Sequence, residues 1–311
     1  MNTFIMLIGL PGCGKSTYAK KLSANNKYVV HSSDEIRKVL NLYSYEDNEK
    51  SIIFETMLKN IKADMNEGKN IIVDATNLSR KHRMHYLAQI KKFDNYEKIC
   101  YLFIVPTNIC EAQNRNRTLN NRVPNIVYDK LLKSFNTPMI NEGWDKIIPI
   151  TYTEHFSLSY DFSFLNNVNQ DSTKHNLTLG KHMNKAFEYV TMHCDSILNN
   201  INLLIATKYH DIGKLYTKTF VNSKNEITEN AHYYGHENYG AYQYLIYWLA
   251  NRDINGLTFR DALEISQLIN WHMAPFTRWN NEKRLNRDLK LIGEDFYKKV
   301  MIMHEADKYA H

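Results

Sequence analysis

Residues 9–17 read Gly9-Leu10-Pro11-Gly12-Cys13-Gly14-Lys15-Ser16-Thr17, and a run of this kind leaves few folds open. It satisfies the G-x-x-x-x-G-K-[ST] pattern in full. Directly before it, Phe4–Ile8 is a short continuous apolar stretch, the mark of a central parallel strand. Directly after it, Ser16–Leu22 opens a helical pattern. The glycines let the backbone turn its N–H groups inward around a phosphate without Cβ clashes. The helix N-terminus adds its dipole. Gly9, Gly12, Cys13, Gly14 and Thr17 are thus expected to line a nucleotide phosphate site. Lys15 is expected on the β- and γ-phosphates and Ser16 on Mg2+.

Such a strand needs neighbours, and the sequence supplies them. Tyr28–His31, Asn70–Asp74 and Lys98–Val105 read as further strands, and Pro106 stops the last of these. Between them lie helical patterns at Lys50–Glu67 and Arg80–Lys92, with two more around the Val123-Pro124 turn. Strand–helix alternation at this spacing predicts an α/β domain, a parallel sheet with helices on both faces. The pattern breaks after residue 150. Residues 151–172 are polar and aperiodic and read as a linker. Residues 173–311 read as all-α, with helices at 181–193, 196–209, 237–251, 258–272 and 295–310. Two domains suit 311 residues, and 43% hydrophobic with 23% charged residues is ordinary for a globular protein. The net charge of +6 suits a polyanionic partner without requiring one. Four scattered cysteines, with no CxxC pair, argue against a disulfide framework or zinc knuckle and for a reducing cytoplasm. No stretch is long enough to span a membrane, so the expected location is cytoplasmic with no membrane contact.

A phosphate loop alone does not name a reaction. Asp34 follows the second strand at the carboxyl edge of the sheet, where ligands bind. It can take the proton of an attacking hydroxyl, or it can serve only as a helix N-cap. Arg37, one turn on, can hold a substrate phosphate. Asp74, at a strand end, can hold a magnesium water or orient Arg37. Arg115, Arg117 and Arg122 can close over a nucleotide as a lid, or form a solvated basic face.

Taken in order, Gly9–Thr17, Ser33-Asp34-x-x-Arg37, Val73–Asn77, Arg115…Arg122-Val123-Pro124 and Phe135-x-x-Pro138…Glu142-Gly143 resemble the kinase module of phage polynucleotide kinase and its end-healing relatives. The resemblance covers almost all of residues 1–150. It implies ATP and Mg2+ as cofactors, Asp34 as general base on a 5′-OH, Arg37 on the substrate phosphate and lid arginines on ATP. The family lid has two arginines four apart; here position 119 is Leu119, so which of Arg115, Arg117 and Arg122 acts is open.

The second half carries His182, the pair His210-Asp211, His236, His272 and Asp307 on separate predicted helices. Imidazoles and carboxylates suit Mn2+, Co2+, Ni2+ or Fe, and helices that each contribute a ligand can build a metal site in a bundle core. Gly213 is read as the residue that ends the helix of the His-Asp pair. The ordered set resembles the HD phosphohydrolase superfamily. It implies a first metal on His182, His210, Asp211 and Asp307, with His236 and His272 as the added ligands of the two-metal subgroup. Lys214 and His175 are candidate phosphate binders; the other histidines are assigned to the surface or to caps.

The combination implies a bifunctional nucleic-acid end-healing enzyme: a 5′-OH polynucleotide kinase with a 3′-, 2′- or cyclic-phosphate phosphatase. Its substrate would be RNA, or DNA, with 5′-OH and 3′-phosphate ends, and it would work with a separate RNA ligase. Two other readings remain. One is a small-metabolite or nucleotide kinase fused to a nucleotide phosphohydrolase. The other is a non-catalytic ATP-sensing module.

Overall fold

The computed structural model describes residues 1–25, 27–43, 47–152, 162–173, 176–193 and 200–311. The chain divides into two compact units, Met1–Leu132 with Pro138–Thr153, and Lys133–Thr137 with Glu154–His311.

The first unit is the expected α/β layer. Its strands are β1 (Asn2–Ile8), β2 (Tyr28–Ser32), β3 (Asn70–Asp74), β4 (Tyr96–Ile104) and β5 (Lys146–Thr151), in the order β2-β3-β1-β4-β5. All four pairings are parallel. The helices are α1 (Lys15–Ser23), α2 (Ser33–Leu40), α3 (Asp47–Asn66), α4 (Arg80–Gln89), α5 (Thr107–Arg115) and α6 (Asn125–Leu132). Residues 4–8 of β1 are buried without interruption, because a strand with neighbours on both edges and helices on both faces has no wet side. The chain leaves β1 toward one edge of the sheet and later crosses to the other, so the carboxyl ends of β1 and β3 flank a topological switch. The glycine loop and Asp74 both lie there.

The second unit is mostly helical: α7 (Leu179–His193), α8 (Ile201–Tyr209), α9 (Lys214–Thr217), α10 (His236–Asn255), α11 (Phe259–Trp271), α12 (Ala274–Thr277), α13 (Glu282–Ile292) and α14 (Glu294–Tyr309). The structure departs from the all-helical expectation at one place. Strands β6 (Thr219–Val221) and β7 (Ile227–His232) form an antiparallel hairpin. Its turn is held by Asn222, whose side chain accepts from the N–H groups of Lys224 and Glu226, and by Asn225 at φ 64°. The stretch 162–168, read from sequence as linker, puts Leu165 into a core cluster with Leu179, Met183 and Ile212. Cys13, Cys100 and Cys110 are free and buried; Cys194 lies outside the described residues. Among the described residues no helix is long and apolar enough to cross a membrane.

Candidate functional site

The glycine loop is built on two left-handed glycines. Gly12 has φ 83°, and a Cβ there would sit 2.2 Å from the Cys110 carbonyl oxygen; Gly14 has φ 93°. No side chain caps α1 at its start. Its first amides are therefore left for a ligand, as at other phosphate-binding helix ends. Lys15 is buried and folds back across the loop, donating to the Gly9 and Leu10 carbonyls at 3.0 and 2.7 Å. Cys13 Sγ lies 3.5 Å from Lys15 Nζ; burial pushes its thiol pKa up, and Lys15 offsets this only in part.

The acidic groups converge on the same edge. Asp74 ends β3 within reach of the Ser16 hydroxyl. Burial raises its pKa, Ser16 and Lys15 pull it down, and the charges of Asp34 and Arg117 also reach it. The structure moves the helix cap two residues back from Asp34, to Ser32. Ser32 Oγ accepts from Glu35 N at 3.4 Å, so Ser33 and Asp34 are the first helical residues and neither caps α2. The Asp34 carboxylate is instead held by Arg117, whose Nη2 donates at 2.6 Å. Of the three lid arginines, Arg117 is thus the one that the fold brings to the aspartate. Arg115 is the last residue of α5, and Arg122 follows a 3-10 turn at Leu119–Asn121. Arg37 Nη1 donates to the Leu42 carbonyl at 3.1 Å.

Behind this edge lies a pair that the sequence reading did not single out for its chemistry. Arg83 and Glu142 are fully buried, with Nε to Oε2 at 2.8 Å and Nη2 to Oε1 at 2.6 Å. Arg83 Nη1 also donates to the carbonyls of Asn77 and Leu78 at 3.2 and 2.7 Å. Asn77 sits at φ 48° and donates from Nδ2 to the Leu7 carbonyl at 2.8 Å, while Gly9 N donates to Thr76 O at 3.1 Å. The ion pair therefore fixes the segment that follows Asp74, and that segment fixes the start of the glycine loop.

In the second unit, six predicted ligands come together in two overlapping groups: His182, His210, Asp211 and Asp307, then Asp211, His236 and His272. In each group one ligand atom per residue lies within 4.8 Å of the others, and all six residues are buried. Asp211 belongs to both. Its Oδ2 faces His182 Nε2 at 3.3 Å and His210 Nε2 at 3.5 Å. Its Oδ1 faces His236 Nε2 at 3.1 Å and His272 Nε2 at 3.6 Å. Asp307 Oδ1 lies 3.0 Å from His182 Nε2.

The backs of the four imidazoles decide what their fronts can do. Each Nδ1 faces a backbone carbonyl: His182 to Ala310 at 3.4 Å, His210 to Thr207 at 2.7 Å, His236 to Tyr233 at 2.8 Å and His272 to Ile269 at 2.7 Å. A carbonyl only accepts, so Nδ1 carries a proton in each ring, and the inward Nε2 is left for a cation or a second proton. This is the outer-sphere arrangement of metal-bound histidine. His236 and His272 point their Nε2 atoms at each other across 3.1 Å, and two lone pairs tolerate that only with positive charge beside them. His210 Nε2 and Asp211 Oδ1 are buried and meet no hydrogen-bond geometry among the described residues. Burial opposes charge on His182, yet the carboxylates of Asp211 and Asp307 outweigh it and raise its pKa to about 9. Asp211 and Asp307 are themselves held well below the usual carboxylate range, against the pull of burial: Asp211 by Lys214 and the imidazoles around it, Asp307 by its hydrogen bonds with His182 and His210. The donor set therefore suits one or two divalent cations.

Gly213 does not end the helix as a left-handed cap. Its backbone is right-handed, at φ −65°, and its lack of a side chain serves a close approach. A Cβ there would lie 1.9 Å from the His236 carbonyl oxygen and 2.7 Å from Gly240 N. Lys214 Nζ lies 2.6 Å from Asp211 Oδ2 and 2.9 Å from Gln170 Oε1, with the Tyr233 ring 5.4 Å away. His311, assigned from sequence to the surface or to a cap, stands beside the centre with Nε2 3.6 Å from Asp307 Oδ1. His175 lies outside the described residues.

Comparison with known proteins adds to the first unit. Residues 4–138 match a family model described as an AAA domain. A protein of Acanthamoeba polyphaga mimivirus, named as a bifunctional polynucleotide phosphatase/kinase, is 26% identical over 154 residues, 48% of this chain and 33% of its own. The L-seryl-tRNA(Sec) kinase of Methanococcus maripaludis is 29% identical over 148 residues, 45% of this chain and 55% of its own. The match thus spans between a third and about half of these relatives. Among solved structures, the APS kinase of Mycobacterium tuberculosis, in complex with AMPPNP and APS, aligns with 49% of this chain and 90% of its own, at 15% identity and a TM-score of 0.38. Residues 4–138 are accordingly similar to the AAA domain family, on a parallel sheet that has the P-loop kinase fold, and this fold implies ATP and Mg2+.

Proposed function

We propose that the chain is a bifunctional nucleic-acid end-healing enzyme, with a 5′-OH polynucleotide kinase in its first unit and a metal-dependent phosphatase in its second. One observation carries the reading: a single chain holds a P-loop with Asp34, Asp74 and Arg117 gathered at its mouth, and also a buried centre of four histidines and two aspartates. The polynucleotide phosphatase/kinase name of the mimivirus relative supports it.

In the first site, Lys15 leaves the loop carbonyls for the β- and γ-phosphates, and the α1 amides complete the cradle. Mg2+, when bound, neutralises developing phosphate charge, with Ser16 and Asp74 as its protein side. Asp34 accepts the proton of the 5′-OH as that oxygen attacks the γ-phosphorus and the bond to the β-phosphate oxygen breaks. Arg117 moves from Asp34 to the transferred phosphoryl group, and Arg37 holds the adjacent substrate phosphate. Arg115 and Arg122 are peripheral lid residues.

In the second site, His182, His210, Asp211 and Asp307 would hold one cation, and Asp211, His236 and His272 a second. Such cations supply a hydroxide near neutral pH and a clamp on the phosphate. Lys214 binds a phosphate oxygen, and Asp211 holds its ammonium in place.

The test is one incubation with ATP, Mg2+ and Mn2+ of an oligoribonucleotide carrying 5′-OH and 3′-phosphate ends, followed by mapping of both ends. Phosphate gained at one end and lost at the other is expected. Transfer to free nucleosides in preference to the oligonucleotide would overturn the substrate assignment.

A further inference from the structure

The short segment between α6 and Pro138 does not belong to the first unit. Lys133–Thr137 is part of the second. Several of its bonds fall on two helices. Phe135 is fully buried and meets Tyr242 of α10 edge-on, with ring centroids 5.1 Å apart. Thr137 N donates to Asn270 Oδ1 at 2.5 Å, and Thr137 Oγ1 bonds Ser266 Oγ at 2.7 Å; both partners are on α11. Asn270 Nδ2 returns to the Phe135 carbonyl at 3.2 Å. Asn238 of α10 donates to the Lys133 carbonyl at 2.7 Å and accepts from Asn136 Nδ2 at 3.1 Å. Asn238 and Asn270 also bond each other at 3.1 Å, which closes the network. A Cβ on Gly235 would stand 3.0 Å from Lys133 Cβ, so the segment presses on the residue just before His236.

The placement of these amides matters. Asn238 follows His236 by two residues, and Asn270 precedes His272 by two. The network thus ties the first turn of α10 to the last turn of α11. Those two turns carry the imidazoles whose Nε2 atoms meet at 3.1 Å. His182, His210 and Asp307 stand on or beside other helices, α7, α8 and α14.

We propose that Lys133–Thr137 is a positioning strap for the second metal position, with Asn238 and Asn270 as its positioning residues. The strap fixes the separation of His236 and His272, and with it the affinity for the second cation, while the first position is left to the other ligands. The proposal rests on the metal-centre reading above.

The test is Mn2+ binding by the full-length chain, with metal counted after equilibrium dialysis and the exchange-coupled Mn2+ pair followed by electron paramagnetic resonance. Wild type takes up two equivalents and gives the coupled signal. Asn270→Ala and Asn238→Ala weaken the second equivalent by about tenfold or more, the scale seen when outer-sphere partners of metal ligands are removed. They lose the coupled signal and keep the first equivalent, which also reports that the unit is folded. Thr137→Val follows them in milder form, and Thr137→Ser behaves as wild type. Variants that bind both equivalents like wild type overturn the strap alone. Loss of both equivalents together in every variant, including Thr137→Val, overturns it in favour of a merely structural segment. A wild-type chain that takes up only one equivalent overturns the second position and the strap. No Mn2+ uptake by wild type overturns the metal centre itself.

Discussion

Glu142→Gln isolates the buried ion pair behind the P-loop. The substitution keeps the size of the side chain and removes its charge, leaving the Arg83 guanidinium at 0% side-chain exposure with no counter-charge bonded to it. Breaking a buried pair from one side costs about 3–5 kcal/mol, because one ion stays desolvated and uncompensated. Removing both charges costs much less than the sum of removing each. In Arg83→Met/Glu142→Leu the partners left over are the neutral donors to Glu142, Trp144 Nε1 and Met139 N, both at 3.2 Å, and the Asn77 and Leu78 carbonyls that Arg83 held, at about 1 kcal/mol each, while Arg80, with Nε 3.5 Å from Glu142 Oε1, keeps some access to solvent. The double variant should therefore fall about 4 kcal/mol below wild type, against about 6–10 kcal/mol for Arg83→Met and Glu142→Gln added together. Amide hydrogen exchange of β1 and β3 reads this locally. Protection there should fall by about a hundredfold or more in Glu142→Gln, at roughly 1.4 kcal/mol per factor of ten, and by no more than about a further tenfold in the double variant. Kinase activity should fall in both, since Arg83 holds Asn77 and Leu78 and they anchor the loop start. A double variant whose protection loss equals the sum of the two single losses would refute the reasoning.

Lys15→Ala should abolish ATP-dependent 5′ phosphorylation and leave phosphatase activity unchanged, as read on doubly end-labelled RNA. Arg117→Ala should lower kcat for the kinase by about a hundredfold or more, the scale of losing one charge-stabilising donor, whereas Arg115→Ala should cost little. Asp211→Ala, or chelation, should remove phosphatase activity while kinase activity returns once Mg2+ is restored. His82 gives a pH effect of defined sign. Burial lowers its pKa from 6.5 to about 4, so protonation favours the unfolded chain; stability is flat above pH 6.5 and falls as the pH drops toward 4. In urea denaturation, His82→Phe should flatten that slope, and an unchanged slope would exclude His82 as its source.

Much of the fold was legible because local sequence and global position agree there. The apolar runs of β1, β3 and β4 sit in the sheet interior, and apolar runs with no polar alternation fit nothing else. The metal candidates were legible one by one, as residue types, and the structure gathers all six. What sequence could not supply were choices made by distant partners. Arg115, Arg117 and Arg122 look alike in one dimension; only the turn after α5 brings Arg117 to Asp34. Gly213 resembled a cap because its reason for lacking a side chain stands on α10, more than twenty residues away. The hairpin at 219–232 did carry a local signal, the Asn222-to-Asn225 turn, which the surrounding helical patterns masked.

The approach at Gly213 has a mechanical meaning. Gly213 and Gly240 meet main chain to main chain, with a Cβ on Gly240 only 3.0 Å from Gly213 N. No rotamer can cushion such a joint. The turn that bears Asp211 and Lys214 therefore cannot move closer to the helix that opens with His236 without pushing it along. A push from an incoming phosphate in that direction is passed on at full stroke.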